Sequence, residues 1–184
     1  MYDSGYKIRD QHAIHFVTFT IVQWVDALTR PEYKDIIVES IKFCQTNKGL
    51  KIYAWVVMTN HVHFVCSASE PNKLSDIIRD LKKYTSYKVI KAIEENSQES
   101  RKSWMLWIFK KAGEQNKRNE KYQFWQQENH PIECSSLEIL QTRINYIHEN
   151  PVRAGYVNLE GDYRYSSGID YFKNEKGLIE ISTY

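Results

Sequence analysis

A period of two governs the hydrophobic positions in some segments of this chain, and a helical spacing governs them in others. Residues 15–22 (HFVTFTIV) are rich in β-branched and aromatic side chains and predict a first strand. Pro31 suits the first turn of a helix, with Thr29 as its candidate cap. Ile36, Ile37, Ile41 and Cys44 recur on one side of that helix, and Asn47 to Gly49 stop it. Residues 52–57 and 62–66 predict two strands, joined through Met58, Thr59 and Asn60 as a hairpin. A second helix is expected from about Lys73 to Ile90, with Leu74, Ile77, Ile78, Leu81 and Thr85 as its stripe.

The second half is less regular. Residues 94–103 read as a loop, and residues 104–109 are apolar enough for either strand or helix. Residues 113–120 read as a charged loop, and residues 122–125 as the start of another strand. Pro131 and the pair Ser135 and Ser136 precede a third helix over 137–149, which Pro151 should close. From about residue 155 the tail reads as irregular, with Tyr163, Tyr165 and Tyr171 available to pack on the body. The order β-α-β-β-α-β followed by a helix is that of a split βαβ sheet, an α+β architecture. Helices cover one face of such a sheet and leave the other free.

Composition narrows this picture only modestly. At 184 residues, with 42% hydrophobic and 26% charged residues, the chain is expected to form a single domain, 1–184, with a real core. No apolar run approaches a membrane-spanning length, and the first residues lack a signal peptide's apolar stretch. Cys44, Cys66 and Cys134 are odd in number and scattered, which fits a reducing compartment. A cytoplasmic protein is expected. The net charge of +2 points only weakly to nucleic acid. More telling are the basic stretch around Arg79, Lys82, Lys83 and Lys88 and the cluster Lys110, Lys111, Lys117, Arg118 and Lys121. With 13 tyrosines and 5 tryptophans, they suit the unstacked bases of single strands.

Candidate chemistry centres on His61 and His63, within the hydrophobic run YAWVVMTNHVHFVCS. On a strand, period two places both imidazoles on one face and turns Val62 toward the core. Two imidazoles held side by side can grip a divalent cation at little ordering cost. On the third helix, Leu137, Leu140, Ile144 and Ile147 form a stripe, and Tyr146 falls about 140° from its centre, toward the outer face. Asn150 follows four residues later on nearly the same line, so a phenol and an amide are presented together. An amide oxygen is a hard ligand for Mg²⁺ or Mn²⁺, and a phenolate beside such an ion can attack a phosphodiester. Tyr84 and Tyr87, in KKYTSY, are rival nucleophiles; Tyr84 lies nearer the core stripe and reads as a packing residue. The face change from His63 to Cys66 argues against Cys66 as a ligand.

The segments MTNHVHFV (58–65) and YIHENPVRAG (146–155) together resemble the single-tyrosine HUH transposases of the IS200 type, with the REP-associated tyrosine transposases as the nearer branch. HFVTF upstream, with FWQ (124–126) and DYRYSS (162–167) downstream, follows that branch's order, so the resemblance covers nearly the whole chain. It implies a ferredoxin-like fold, single-stranded DNA with a small hairpin as partner, and a 5′-phosphotyrosine intermediate. It also implies Tyr146 as nucleophile, with His61, His63 and Asn150 as ligands of Mg²⁺ or Mn²⁺. Arg79, Lys82, Lys83, Lys88 and Arg153 are candidate DNA contacts. Family members act as monomers or homodimers, which leaves open whose histidines Tyr146 serves. A non-catalytic hairpin-binding descendant and a hydrolase of small phosphoesters are the alternative readings. Thr59 stands where the family usually has proline.

Overall fold

The computed structural model describes residues 7–116 and 121–184. Lys117 and Arg118 of the second basic cluster lie outside the described residues. Strands β1 (His15–Thr20), β2 (Leu50–Val57), β3 (His61–Ala68) and β4 (Ile132–Glu133) form one sheet in the order β2-β3-β1-β4. All three pairings are antiparallel. This is the split βαβ arrangement expected from the sequence. Helix α1 (Pro31–Lys48) connects β1 to β2, and α2 (Leu74–Glu95) follows β3. Helices α3 (Lys102–Glu114), α4 (Leu137–Arg153) and the short α5 (Gly168–Phe172) complete the chain.

Alternation along the strands sorts the sheet into two faces. Val17 and Phe19 of β1, Val62 and Phe64 of β3, and Trp55 of β2 share one face and are buried. Helix α2 covers it: Lys82 Nζ lies 5.4 Å from the Phe19 ring centre, and Thr85 accepts a hydrogen bond from Trp125 of the same cluster at 3.0 Å. Phe16, Thr18, His61, His63 and Val56 share the other face. Contrary to the expectation from the element order, that face is not free. Helix α4 packs on it, with Tyr146 and Arg143 against Phe16.

Several local expectations are corrected by tertiary contacts. Helix α1 begins without a side-chain cap: Arg30, not Thr29, stands at the cap position, and the Thr29 hydroxyl accepts from Arg101 at 2.8 Å. It ends at Gly49, whose φ of 66° is cheap only for glycine. Ile36 is only partly buried, while Ile37, Ile41 and Cys44 are buried as expected. The region 104–109 is helical: Met105, Phe109 and Gly113 turn inward four residues apart, and the exposed Trp104 and Trp107 mask that spacing. Residues 122–125 are not a regular strand. Phe124 and Trp125 are buried by packing, but Trp125 makes a single bridge to Ile21, and the fourth strand is β4. Tyr84 is exposed rather than packed.

Pro151 does not close α4. A proline removes one ladder bond, which is tolerable in the last turn, and the helix runs on to Arg153. The stop is Gly155, at φ 74°. The tail is also less irregular than expected. The Val57 and Ser167 N–H groups donate to Tyr165 O and Trp55 O, so this segment covers the outer edge of β2. Tyr163 and Tyr165 are buried there, and the exposed Tyr171 donates its hydroxyl to Tyr53 O at 2.6 Å.

Two polar anchors hold this arrangement and give measurable expectations. Glu99, buried in the α2–α3 connection, accepts from Arg30 at 2.9 Å and from Arg101 at 3.0 Å. Burial pushes its carboxyl up, but the two guanidiniums overcome this and hold it down at about 2. Glu99→Gln is expected to cost about 3 kcal/mol in chemical unfolding, because it leaves two cations without their counter-charge. In the wild type this contribution is complete above the ordinary carboxylate pKa and fades as pH falls toward about 2.

His148 on α4 is buried between Tyr171 and Phe172 and shares a 2.8 Å hydrogen bond with Ser167. Burial lowers its pKa to about 4. The unfolded chain therefore binds the extra proton between about 6.5 and 4, and stability falls as pH falls through that window. His148→Gln is expected to reduce this slope, leaving the part that His61 and His63, also lowered by burial, contribute. An unchanged slope would show that another group carries it.

Candidate functional site

Strand β3 sets His61 and His63 side by side, with ring centres 4.7 Å apart. His63 is nearly closed off from solvent. Its ring stacks on Phe16 at 5.2 Å, meets the Tyr146 ring edge-on at 5.3 Å, and its Nδ1 shares a 2.9 Å hydrogen bond with the Thr18 hydroxyl. Thr18 is the cross-strand partner of His63, which is why β1 supplies this contact. His63 Nε2 makes no hydrogen bond to the described residues.

His61 is oriented by a polar chain from the loop after β1. Asp26 Oδ1 accepts from the Thr59 hydroxyl at 2.7 Å and from Asn60 Nδ2 at 2.9 Å. With its amide nitrogen so engaged, Asn60 turns Oδ1 to His61 Nδ1 at 2.7 Å. That contact favours the tautomer with the proton on Nδ1, which leaves a lone pair on Nε2. Thr59 and Asn60 together couple Asp26 to this turn. Burial lowers the pKa of both imidazoles, His63 to about 3, so both are neutral at neutral pH. For His61, the contacts with Asn150 and Asp26 partly offset that lowering.

Helix α4 brings the other two residues to the same place. Its buried side is formed by Leu140, Ile144, Ile147, His148 and Pro151, while Leu137 at its start is exposed. Arg143, Tyr146 and Asn150 lie on the neighbouring flank at spacings of three and four residues. That flank faces the sheet, not solvent, so Tyr146 is half-buried against Phe16 and His63 of its own chain. Continuation of the helix through Pro151 keeps Asn150 on this flank. Asn150 Oδ1 lies 3.2 Å from His61 Nε2. Two lone pairs meet there, an arrangement that a cation stabilises and that an inward-turned amide NH₂ relieves when none is bound.

The donor set fits a divalent ion. Adjacent ligands about 2.1 Å from an octahedral ion stand about 3 Å apart, close to the His61–Asn150 separation. Both imidazoles are in the neutral form that ligation requires. Among the described residues no group of three or more His, Cys, Asp or Glu side chains converges on a metal position. Two imidazoles and an amide would make a neutral, incomplete shell with room for anionic oxygens.

The matches to known proteins bear on family and fold. The family model described as "Transposase IS200 like" matches residues 9–107, more than half of the chain, including both histidines. The chain belongs to the IS200-like transposase family. Among solved structures, a REP-associated tyrosine transposase bound to a REP hairpin superposes with a TM-score of 0.66 at 16% identity, covering 99% of this chain and 93% of that one. The two share a fold. A Deinococcus radiodurans R1 protein bearing a transposase designation superposes with a TM-score of 0.45 at 15% identity, over 81% of this chain and 97% of that one. No curated protein matches the chain. Tyr146 and Asn150 lie beyond the segment matched by the family model, and α4 is what joins them to it.

The proposed DNA contacts of this IS200-like chain separate into two groups. Arg153, at the end of α4, is exposed, pairs with Glu149 and places its guanidinium 5.8 Å from the Tyr146 ring centre. Arg79, Lys82, Lys83 and Lys88 sit on α2, across the sheet from the histidines. Arg79 is already paired with Asp76 at 2.7 Å and Asp80 at 3.0 Å. Lys82 donates to Gln126 O at 2.6 Å and Asn129 Oδ1 at 2.5 Å, and burial lowers its pKa to about 8. It ties α2 to the segment before β4. Lys83 and Lys88 are exposed, as is the ion-paired Arg79. No helix among the described residues is long and apolar enough to cross a membrane.

Sequence reasoning misses Thr18, Asp26 and Asn60. Thr18 is legible in principle, as a polar residue at an inward position of β1. The Asp26–Asn60 link joins a loop to a hairpin and has no periodic signature.

Proposed function

We propose that this chain is a metal-dependent single-stranded DNA endonuclease and strand transferase that acts beside DNA hairpins. The observation that carries the reading is the placement of Tyr146 against His63, on the helix flank that also brings Asn150 to His61. A phenol, two neutral imidazoles and an amide oxygen at one sheet face suit phosphodiester transfer better than they suit a packing role. The hairpin bound to the structural relative favours a folded single strand as substrate.

His61, His63 and Asn150 would hold Mg²⁺ or Mn²⁺. Such an ion, when bound, would polarise a phosphoryl group and offset charge that develops in the transition state. Tyr146 gives up its phenolic proton to solvent and forms a bond from its oxygen to phosphorus. The bond from phosphorus to the 3′ oxygen breaks, and that oxygen leaves as a protonated 3′-hydroxyl. The product is a 5′-phosphotyrosine, whose ester bond is kept for rejoining or transfer. Arg153 positions the backbone near Tyr146, and Lys83 and Lys88 serve DNA lying on the α2 side; such contacts position without reading sequence.

The test is covalent trapping. The protein is incubated with a hairpin-bearing single strand from the flanks of its own gene, with Mn²⁺ or with EDTA, and run on a denaturing gel. An adduct that needs the metal supports the proposal. A native gel shift without any adduct assigns the chain to hairpin binding without turnover, and multiple turnover on a small phosphoester without an adduct assigns it to hydrolysis.

A further inference from the structure

The turn between β1 and α1 carries an exposed aromatic. Trp24 is 61% exposed, whereas Trp55 and Trp125 are buried. Its ring stands edge-on to His61, with centres 6.1 Å apart. Its backbone is held in an uncommon conformation: Gln23 and Trp24 both have positive φ, 55° and 54°. Two consecutive non-glycine residues in the left-handed region each carry a strain cost and persist only where the surroundings impose them.

Those surroundings are on either side. Val22 and Val25 are buried, and the Val22 N–H donates to Phe124 O at 2.9 Å. Asp26 is tied to Thr59 and Asn60 in the turn that leads into His61. The loop is therefore clamped at both ends, and its strained centre pushes an indole outward beside a candidate metal ligand. On the other side of the Thr59–Asn60 turn stands a second exposed aromatic, Tyr156, whose hydroxyl lies 3.2 Å from that of Thr59.

We propose that Trp24 is the stacking platform for an unpaired nucleobase of the DNA strand, next to the phosphate held at His61 and His63. The inference rests on the proposed function and adds a base-binding subsite to it. An indole face accepts any base, and its gain is realised only when the base is out of a duplex. This subsite would therefore favour the single-stranded flank of a hairpin over its paired stem. Because the Trp24 ring stands 6.1 Å from that of His61, a base stacked on it would also fix the position of the neighbouring phosphate.

The experiment measures binding in EDTA, and adduct formation in Mn²⁺, for wild type, Trp24→Phe and Trp24→Ala. The probe is the same hairpin strand, intact or with a single abasic nucleotide placed in turn at each unpaired position flanking the hairpin stem. Trp24→Ala is expected to weaken binding of the intact strand about 10-fold, with Trp24→Phe recovering much of the loss. One abasic position should weaken wild-type binding comparably and cause no further loss in Trp24→Ala. Mn²⁺ affinity measured without DNA should be the same in all three proteins. If Trp24→Ala binds intact and abasic strands as wild type does, the platform is wrong while the nuclease reading stands. Losses that simply add at every abasic position also overturn it. Absence of an adduct with wild type would be a failure of the nuclease reading instead, and the abasic comparison in EDTA would still decide the platform.

Discussion

Tyr146→Phe is expected to abolish the covalent protein–DNA adduct and to leave hairpin binding within about twofold of wild type. The variant keeps the ring that packs edge-on against Phe16 and His63 and loses only the hydroxyl. The fold and the histidine pair should therefore be unperturbed, and Mn²⁺ binding should survive. In the proposed reaction the phenolic oxygen is the atom that bonds to phosphorus, so no residual route to the adduct exists. Loss of a nucleophile costs on the order of 10⁴-fold or more in rate. Denaturing gels with radiolabelled strand measure the adduct, and native gels in EDTA measure binding. Cleavage by Tyr146→Phe at the wild-type rate would remove Tyr146 from the chemistry. Tyr84 and Tyr87, both exposed on α2, would then be the next tyrosines to replace, although they lie across the sheet from the histidines.

His61→Ala and His63→Ala are expected to lose metal binding and cleavage together. Several kcal/mol of transition-state stabilisation come from a Lewis acid in such a site, on the order of 10³-fold in rate. The two variants should differ in stability. His61 is partly exposed, and its loss frees Asn60 to turn its amide oxygen to water. His63 is buried, stacked on Phe16 and hydrogen-bonded to Thr18, so its removal opens a cavity and leaves the Thr18 hydroxyl without its partner. Calorimetric titration with Mn²⁺, thermal unfolding and the adduct assay separate these effects. Metal-dependent cleavage that persists in His61→Ala would dismiss the ligand assignment. For His63→Ala, loss of activity counts only if the variant remains folded at the assay temperature.

The elements from β1 through α2, the helix α4 and the candidate site residues are legible in the chain itself, whereas α3 and β4 are not. Period two puts His61 and His63 on one face because a strand's geometry is local. The pairing of β2 with β3 follows from a short connection. Helical spacing puts Tyr146 and Asn150 on one line, and the stop at Gly49 needs only the glycine itself. What local pattern does not decide is where each line points. On a helical wheel Tyr146 falls away from the stripe of α4, which by itself implies an outward side chain. The helix lies on the sheet with two flanks in contact, so a position beside the stripe still faces the histidines. Pro151 reads as a stop because a lost ladder bond is a local cost, yet packing of the buried proline and the glycine at position 155 set the real end. The cations of α2 look like one patch in sequence. In space Arg79 is neutralised by neighbours and Lys82 is spent on carbonyl oxygens.

The sequence alone therefore determined which side chains could do chemistry and which elements carry them, since those depend on residue type and spacing along a single element. Only the tertiary structure decided that they meet within one chain, which tautomer His61 favours, and that Trp24 stands beside it. Those depend on contacts between residues dozens of positions apart, and no periodicity encodes them.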